Sequence, residues 1–302
     1  MIVDEYTGIE TLKKSDILSP SIQVVIVLLS YKINKSVLQD LIEKAGRFWE
    51  VKPEMEEIQN QFRLVRYFMV FYKSAILGTT IYYEIAALTS TERVLPTECY
   101  RFCDIEKDSC YWFLVLFVNI AAFVLVWGIY TFDGFFAGSV IQLIGQLKLI
   151  KHKLENLKFE NDEENLIEII DHHNFILDFI NDINTLYSNI LFTQFSSLIF
   201  SMCIGSFLLT LHGTPTVNTL TQYVVYLTCM FTQVFVFSYG GQVILDETAS
   251  VADVAYQTNW FHASVSMQKS ISTIILRSQQ ETKISVGGFS NLDLRMYLYV
   301  CC

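Results

Sequence analysis

The sequence predicts an all-α fold, a polytopic helical membrane protein. Three observations lead there: an apolar composition, apolar runs of transmembrane length, and basic residues that alternate between the polar stretches. The chain has 302 residues, of which 52% are hydrophobic, 14% aromatic and 17% charged; soluble domains carry about 25% charged residues. Mean hydropathy is +0.37. Length alone allows about two soluble domains, but the apolar runs predict one membrane domain over residues 1–302.

Taken in order, Met1 to Lys14 is polar and acidic, with no apolar core and no small-residue cleavage site. Insertion is therefore expected to depend on the later helices. Ile17 to Tyr31 is a short candidate span, stopped by Lys32. Four segments reach the roughly 20 apolar residues that a transmembrane helix needs: Tyr67 to Leu88, Tyr111 to Phe132, Ile190 to Leu211 and Tyr223 to Leu245. Leu292 to Cys302 is too short to span, and a partial last helix is expected over residues 290–302.

Short cytoplasmic loops collect Lys and Arg. Seven lie between Lys32 and Arg66, three between Arg93 and Lys107, four between Lys148 and Tyr187, none between His212 and Gln222, and four after Leu245. This alternation puts the first, third and fifth stretches inside. The two outer loops, Thr89 to Cys110 and His212 to Gln222, hold the turn formers Pro96, Gly213 and Pro215. The inner stretches Lys148 to Leu157 and Leu166 to Ile183 have apolar residues at helical spacing, which predicts continuations of the adjoining spans.

Other classes find no support in the residues. The net charge of −10 argues against nucleic acid, and its acidic residues mix with basic ones on polar faces. Gly240-Gly241 and Gly287-Gly288 lack the residues that a phosphate loop requires. No nucleophile elbow or paired-histidine zinc helix is present, so the chain is not expected to be an enzyme, and no cofactor or metal is expected. The acidic run Glu160, Asp162, Glu163, Glu164 lacks calcium-loop spacing and reads as a solvated bend. His172 and His173 point about 100° apart on a helix, which predicts a hydrated face rather than a metal site. For Cys99, Cys103 and Cys110 two readings stay open, free thiols or one disulfide on the extracellular side.

Charge inside a span is costly and often functional. Lys73 and Glu84 lie toward opposite ends of the first strong span, where each can snorkel outward or serve a ligand or ion path. Aromatic residues gather toward the inferred outer ends: Tyr82, Tyr83, Trp112, Phe113, Phe117, Tyr223 and Tyr226. They form either an interfacial belt or an apolar pocket with tyrosine hydroxyls as its polar groups. Gly78 is one turn from Tyr82 on the same face. Its missing side chain leaves room for a small ligand or for close helix packing.

One segment adds a family resemblance. From Phe237 to Leu292, Phe237 and Tyr239, Gly241 and Gln242, Ala255 and Tyr256, Trp260, Arg277 and Gln279, and Gly288 and Phe289 follow one another in order. This series resembles the C-terminal signature of insect odorant receptors, in which the glycine before Phe opens the last helix. Leu95-Pro96 followed by Tyr100 also looks like that family. The resemblance implies seven spans with a cytoplasmic amino terminus, so that the five candidates here are spans two to six. On that reading the first span is missing, the seventh is cut at Cys302, and a partial gene model or truncated isoform is expected. A terminal Cys-Cys also resembles a prenylation site, beside the simpler reading as the end of an apolar helix.

The short stretch from Lys148 to Tyr187 is unlike the long insertion of the family's shared co-receptor. The resemblance therefore implies a ligand-tuning subunit. It would assemble with that co-receptor into a heterotetrameric odorant-gated cation channel, in the plasma membrane of olfactory neuron dendrites. The partners implied are the co-receptor, a small volatile odorant and the lipid bilayer, with no nucleic acid. Gly78 and Tyr82 fit a family-like pocket spacing, and Tyr256 and Trp260 fall where the family anchors its subunits, against an equal reading as buried core. Related readings are a gustatory receptor-like channel subunit and a non-conducting truncated product.

Overall fold

In a computed structural model, residues 22–51, 56–89, 95, 106–158, 162–211, 217–280 and 282–301 are described. Helix α1 covers Ile22–Ile33. It is followed by α2 (Lys35–Ala45), α3 (Glu56–Leu88), α4 (Asp108–Glu155), α5 (Glu163–Leu211) and α6 (Val217–Gln257). A 3-10 turn at Trp260–His262 leads to α7 (Val265–Ser278), then to strands β1 (Ser285–Val286) and β2 (Ser290–Asn291) and to α8 (Leu294–Cys301).

Among the described residues three helices are long and apolar enough to cross a membrane, within α4, α5 and α6. With 48 residues, α4 is about 72 Å long at 1.5 Å per residue, against a hydrocarbon core of about 30 Å. It continues through Lys148 to Glu155, and α5 carries Leu166 to Ile183 straight into the next apolar run. Both stretches therefore extend the helices that carry the apolar runs. The 33 residues of α3 also exceed bilayer thickness, at about 50 Å.

Several local expectations change. Lys32 does not stop α1: the helix passes through it to Ile33, and the break falls at Asn34. Lysine ends an apolar run but is itself a good helix former. The last helix starts at Leu294 rather than at residue 290, with Asp293 Oδ1 accepting the Met296 N–H at 2.8 Å as its cap. Gly288 does not open that helix. Gly287 and Gly288, at φ 60° and 76°, form the turn of a small hairpin, with the Phe289 N–H donating to the Val286 carbonyl at 3.1 Å. Positive φ at both central positions is the requirement of a type I′ turn.

The contacts divide the chain into two compact units. The first comprises residues 1–29, 66–134 and 193–232. Its described core includes Val24, Val27, Leu114, Val118, Phe132, Phe195 and Leu198. Its surface exposes Ile81, Phe113, Leu116, Phe117, Phe123 and Trp127, an apolar cover suited to hydrocarbon, where the helices satisfy their own backbone groups. Cys110 is disulfide-bonded and packs with Leu95 and Leu114. Cys110 is therefore not a free thiol, while Cys99 and Cys103 lie outside the described residues.

The second unit comprises residues 30–65, 135–192 and 233–302. Here α4 buries Leu143, Leu147, Ile150 and Leu154, a stripe at helical spacing. Ile169, Ile176, Ile180 and Ile183 of α5 and Ile271 and Ile274 of α7 are buried too. Each such side chain contributes about 1.5–3 kcal/mol by leaving water. Tyr187 is wholly buried, with Phe136 edge-on at 5.1 Å and the Tyr31 hydroxyl at 3.3 Å.

The expected hydrated face at His172 and His173 is overturned, because both rings are buried. His172 stacks on Trp49 with centroids 3.7 Å apart and meets Gln146 Oε1 at 2.9 Å. Lys153 Nζ lies 3.6 Å from the Trp49 ring centroid; two groups that close to one ring must take opposite faces. His173 meets Ser278 of α7 at 3.2 Å. Burial lowers both histidines to about 4, helped by Lys153 beside His172 and by Arg277 beside His173, with Glu168 opposing at His172.

Both histidines are therefore neutral in the folded chain at pH 7. The unfolded state, with a pKa near 6.5, binds more protons as pH falls. Their contribution is complete above pH 6.5 and declines until about pH 4, by roughly a few kcal/mol in total. Thermal unfolding in detergent between pH 7.5 and 4.5 should show this loss, and His172→Gln with His173→Gln should flatten it. An unchanged slope in the double variant would refute the assignment.

Candidate functional site

Within the first unit, α3 and α4 are joined by two polar links inside apolar sequence. The Tyr72 hydroxyl donates to Asp133 Oδ2 at 3.0 Å, both groups buried. One residue on, the Tyr130 hydroxyl donates to the Lys73 carbonyl at 2.6 Å, while Lys73 Nζ stands 5.9 Å from the Tyr130 ring centroid. A hydroxyl given to a buried carboxylate is stronger than a neutral pair, and breaking it leaves an acceptor in a medium that cannot replace the bond. The pair fixes the register of the two helices. Gly78 and Tyr82 follow it by about 9 and 15 Å along α3. Asp133 escaped sequence reading because the span was ended at Phe132, whereas α4 runs on through it. The rule that intramembrane acids mark functional positions would have found it.

A Cβ added at Gly78 would meet nothing within 4 Å, so close packing among the described residues does not explain the glycine. Tyr82, Phe113 and Phe117 are 51%, 54% and 53% exposed, a surface that lipid, a partner or a ligand can cover. The side chains of Tyr83, Glu84, Tyr223 and Tyr226 lie outside those described. On α5, Gln194 is buried, and neither its Nε2 nor its Oε1 has a hydrogen-bond partner among the described residues.

In the second unit Tyr256 is 68% exposed, so buried core does not account for it. Trp260 is half-buried, its indole N–H donating to the Tyr256 carbonyl at 3.2 Å. Phe261, Val265 and Leu276 are also exposed nearby in sequence. Among the described residues no group of three or more His, Cys, Asp or Glu could hold a metal.

Residues 17–301 match the family model described as 7tm Odorant receptor. The chain belongs to that family. It is a family of membrane receptors rather than enzymes. Odorant receptor 22c of Drosophila melanogaster is 28% identical over 173 residues, covering 52% of this chain and 42% of that protein. Odorant receptor 10 of Aedes albopictus is 27% identical, covering 55% and 46%. The chain thus spans about half the length of the curated relatives it matches. The insect olfactory receptor OR5 from Machilis hrabei has the same fold, with a TM-score of 0.81 at 17% identity, covering 97% of this chain and 78% of that one. Its complex with eugenol superposes with a TM-score of 0.83.

Proposed function

We propose that the chain is the ligand-tuning subunit of a heteromeric odorant-gated cation channel that detects small volatile molecules. The observation behind this reading is the family match across residues 17–301. The partner is the shared odorant co-receptor, in a heterotetramer. The location is the plasma membrane of an olfactory neuron dendrite, with one membrane domain crossing the bilayer several times. The basic stretches lie inside. A disulfide at Cys110 supports this orientation, because such bonds persist in oxidising compartments.

Ligand binds among Gly78, Tyr82, Tyr83, Phe113, Phe117, Tyr223 and Tyr226. These residues suit an apolar molecule held by dispersion and displaced water, with few directional contacts and hence broad tuning. The Machilis hrabei receptor of the same fold has been solved with eugenol, and a small aromatic molecule of that kind suits this set. Opening requires that ligand bind the open arrangement more tightly than the closed one. Tyr256 and Trp260 serve contacts between subunits, a role that suits an exposed tyrosine on the second unit.

Co-expression with an insect co-receptor, with the co-receptor alone as control, tests the reading. An odorant panel should evoke cation current beyond that control. A chain that reaches the surface and adds no current for any odorant would count against it.

A further inference from the structure

Between α7 and α8 the chain makes a tight hairpin that is fastened to one face of α5. Asn184, Ser188 and Phe192 share that face at i, i+4 and i+8. Asn184 Oδ1 accepts the Ser285 N–H at 2.7 Å and the Ser285 hydroxyl at 3.0 Å. With its one proton spent there, the Ser285 hydroxyl accepts from that of Ser188, 2.8 Å away. The Gly287 N–H donates to the Ser188 carbonyl at 2.9 Å, and Phe192 stacks on Phe289 with centroids 5.4 Å apart.

The hairpin has little slack. Ile284, Val286 and Leu292 are almost wholly buried, and the Leu292 N–H closes on the Ile284 carbonyl at 2.8 Å. Two residues separate Asn291 at the end of β2 from Leu294 at the start of α8. One of them is the buried Leu292 and the other is the cap Asp293. Tyr297 of α8 then meets Phe235 of α6 edge-on at 5.4 Å. Little chain is left between the Asn184 contact and α8 to absorb a shift of α5.

We propose that the Asn184–Ser188–Phe192 face of α5 is a fixed joint that carries displacement of α5 to α8, with Asn184 as its positioning residue. The inference rests on the channel reading above. It assigns a mechanical role to α5, a helix that holds none of the proposed ligand residues. Gly287 is part of the joint: at φ 60° its backbone conformation suits glycine, and an added Cβ would lie 2.9 Å from Phe192 Cβ.

Two measurements test it, one independent of current. Ser188→Cys with Ser285→Cys should cross-link when membranes are treated with a mild oxidant, since the two oxygens stand 2.8 Å apart and a disulfide needs about 2.05 Å. The single variants are the controls, and a protease site engineered between the two positions gives the readout. The cross-linked channel should still conduct, because a fixed joint stays closed through gating. Failure to cross-link, or current lost on cross-linking and recovered on reduction, would overturn the joint.

In the second measurement Asn184→Ala, at matched surface expression, should lower maximal odorant-evoked current about tenfold. Asn184→Asp keeps the oxygen that both Ser285 donors use and should restore it. Full current in Asn184→Ala, or equal loss in Asn184→Asp, would overturn the role of Asn184 while leaving the channel reading intact. Cross-linking of the double-cysteine variant together with a wild-type chain that is silent with co-receptor would instead overturn the channel reading, and the transmission proposed here with it.

Discussion

Gly241→Ala is expected to remove most folded receptor from the cell surface. Gly241 is buried in α6, and a Cβ built there overlaps the Leu292 carbonyl oxygen and lies 2.9 Å from its carbon. The obstacle is backbone, not the end of a flexible side chain. It belongs to a residue that is itself buried and whose N–H is bonded to Ile284. Inserting one methyl group into a tight core costs about 1–3 kcal/mol when side chains can move. Here a helix or the hairpin must move instead, so the cost should exceed that range in a domain stable by only about 5–15 kcal/mol.

Two other glycine substitutions calibrate the result. At Gly240 the added Cβ would stand 3.4 Å from a Phe136 ring carbon and 3.5 Å from Val140, and at Gly78 it would meet nothing within 4 Å. Gly240→Ala should be mild and Gly78→Ala silent, both read as folding. Surface biotinylation and fluorescence-detected size exclusion in detergent would rank the three. Wild-type levels for Gly241→Ala would show that α6 and the hairpin are not held this closely.

The Gly-Gln pair at Gly241-Gln242 was legible as a motif, but its reason was not, because the carbonyl that excludes a side chain belongs to Leu292, far along the chain. The same separation explains other outcomes. Apolar runs announce a change of solvent, so the span in α4 could be placed, yet hydropathy says nothing of where a helix ends. The helix runs on past Phe132, and Asp133 therefore sits inside it, opposite Tyr72. His172 and His173 do diverge as helical geometry requires. Their burial comes from Trp49 on one side and Ser278 on the other, partners that local periodicity cannot supply. At the candidate ligand site, spacing could single out Gly78 and Tyr82, but a face half-covered in one chain is completed by whatever surrounds it.

Gln146→Leu should destabilise the second unit by about 2–5 kcal/mol. Gln146 is 3% exposed. Its Oε1 accepts the Trp49 N–H and its Nε2 donates to the Trp49 carbonyl, both at 2.9 Å. The same oxygen faces His172 Nε2 at 2.9 Å; since a carbonyl oxygen only accepts, that nitrogen carries the proton. Leucine has nearly the same volume and none of these groups. The substitution leaves a buried imidazole N–H and two backbone groups of the Trp49 loop without partners, and the partly buried loop recovers some of that loss from water. The stack of Lys153, Trp49 and His172 should loosen with it. Faster tryptic cleavage at Lys44 and Arg47 and a lower Tm in detergent are the expected signs. Gln146→Glu separates bonding from charge. A carboxylate keeps both acceptor contacts, loses the donor to Trp49, and favours the protonated imidazole. The pKa of His172 then rises from about 4 toward its unfolded value, and the stability lost on acidification shrinks. Should Gln146→Leu match wild type in both Tm and cleavage, the loop after α2 is not held by this side chain, and the neutrality of His172 would need another cause.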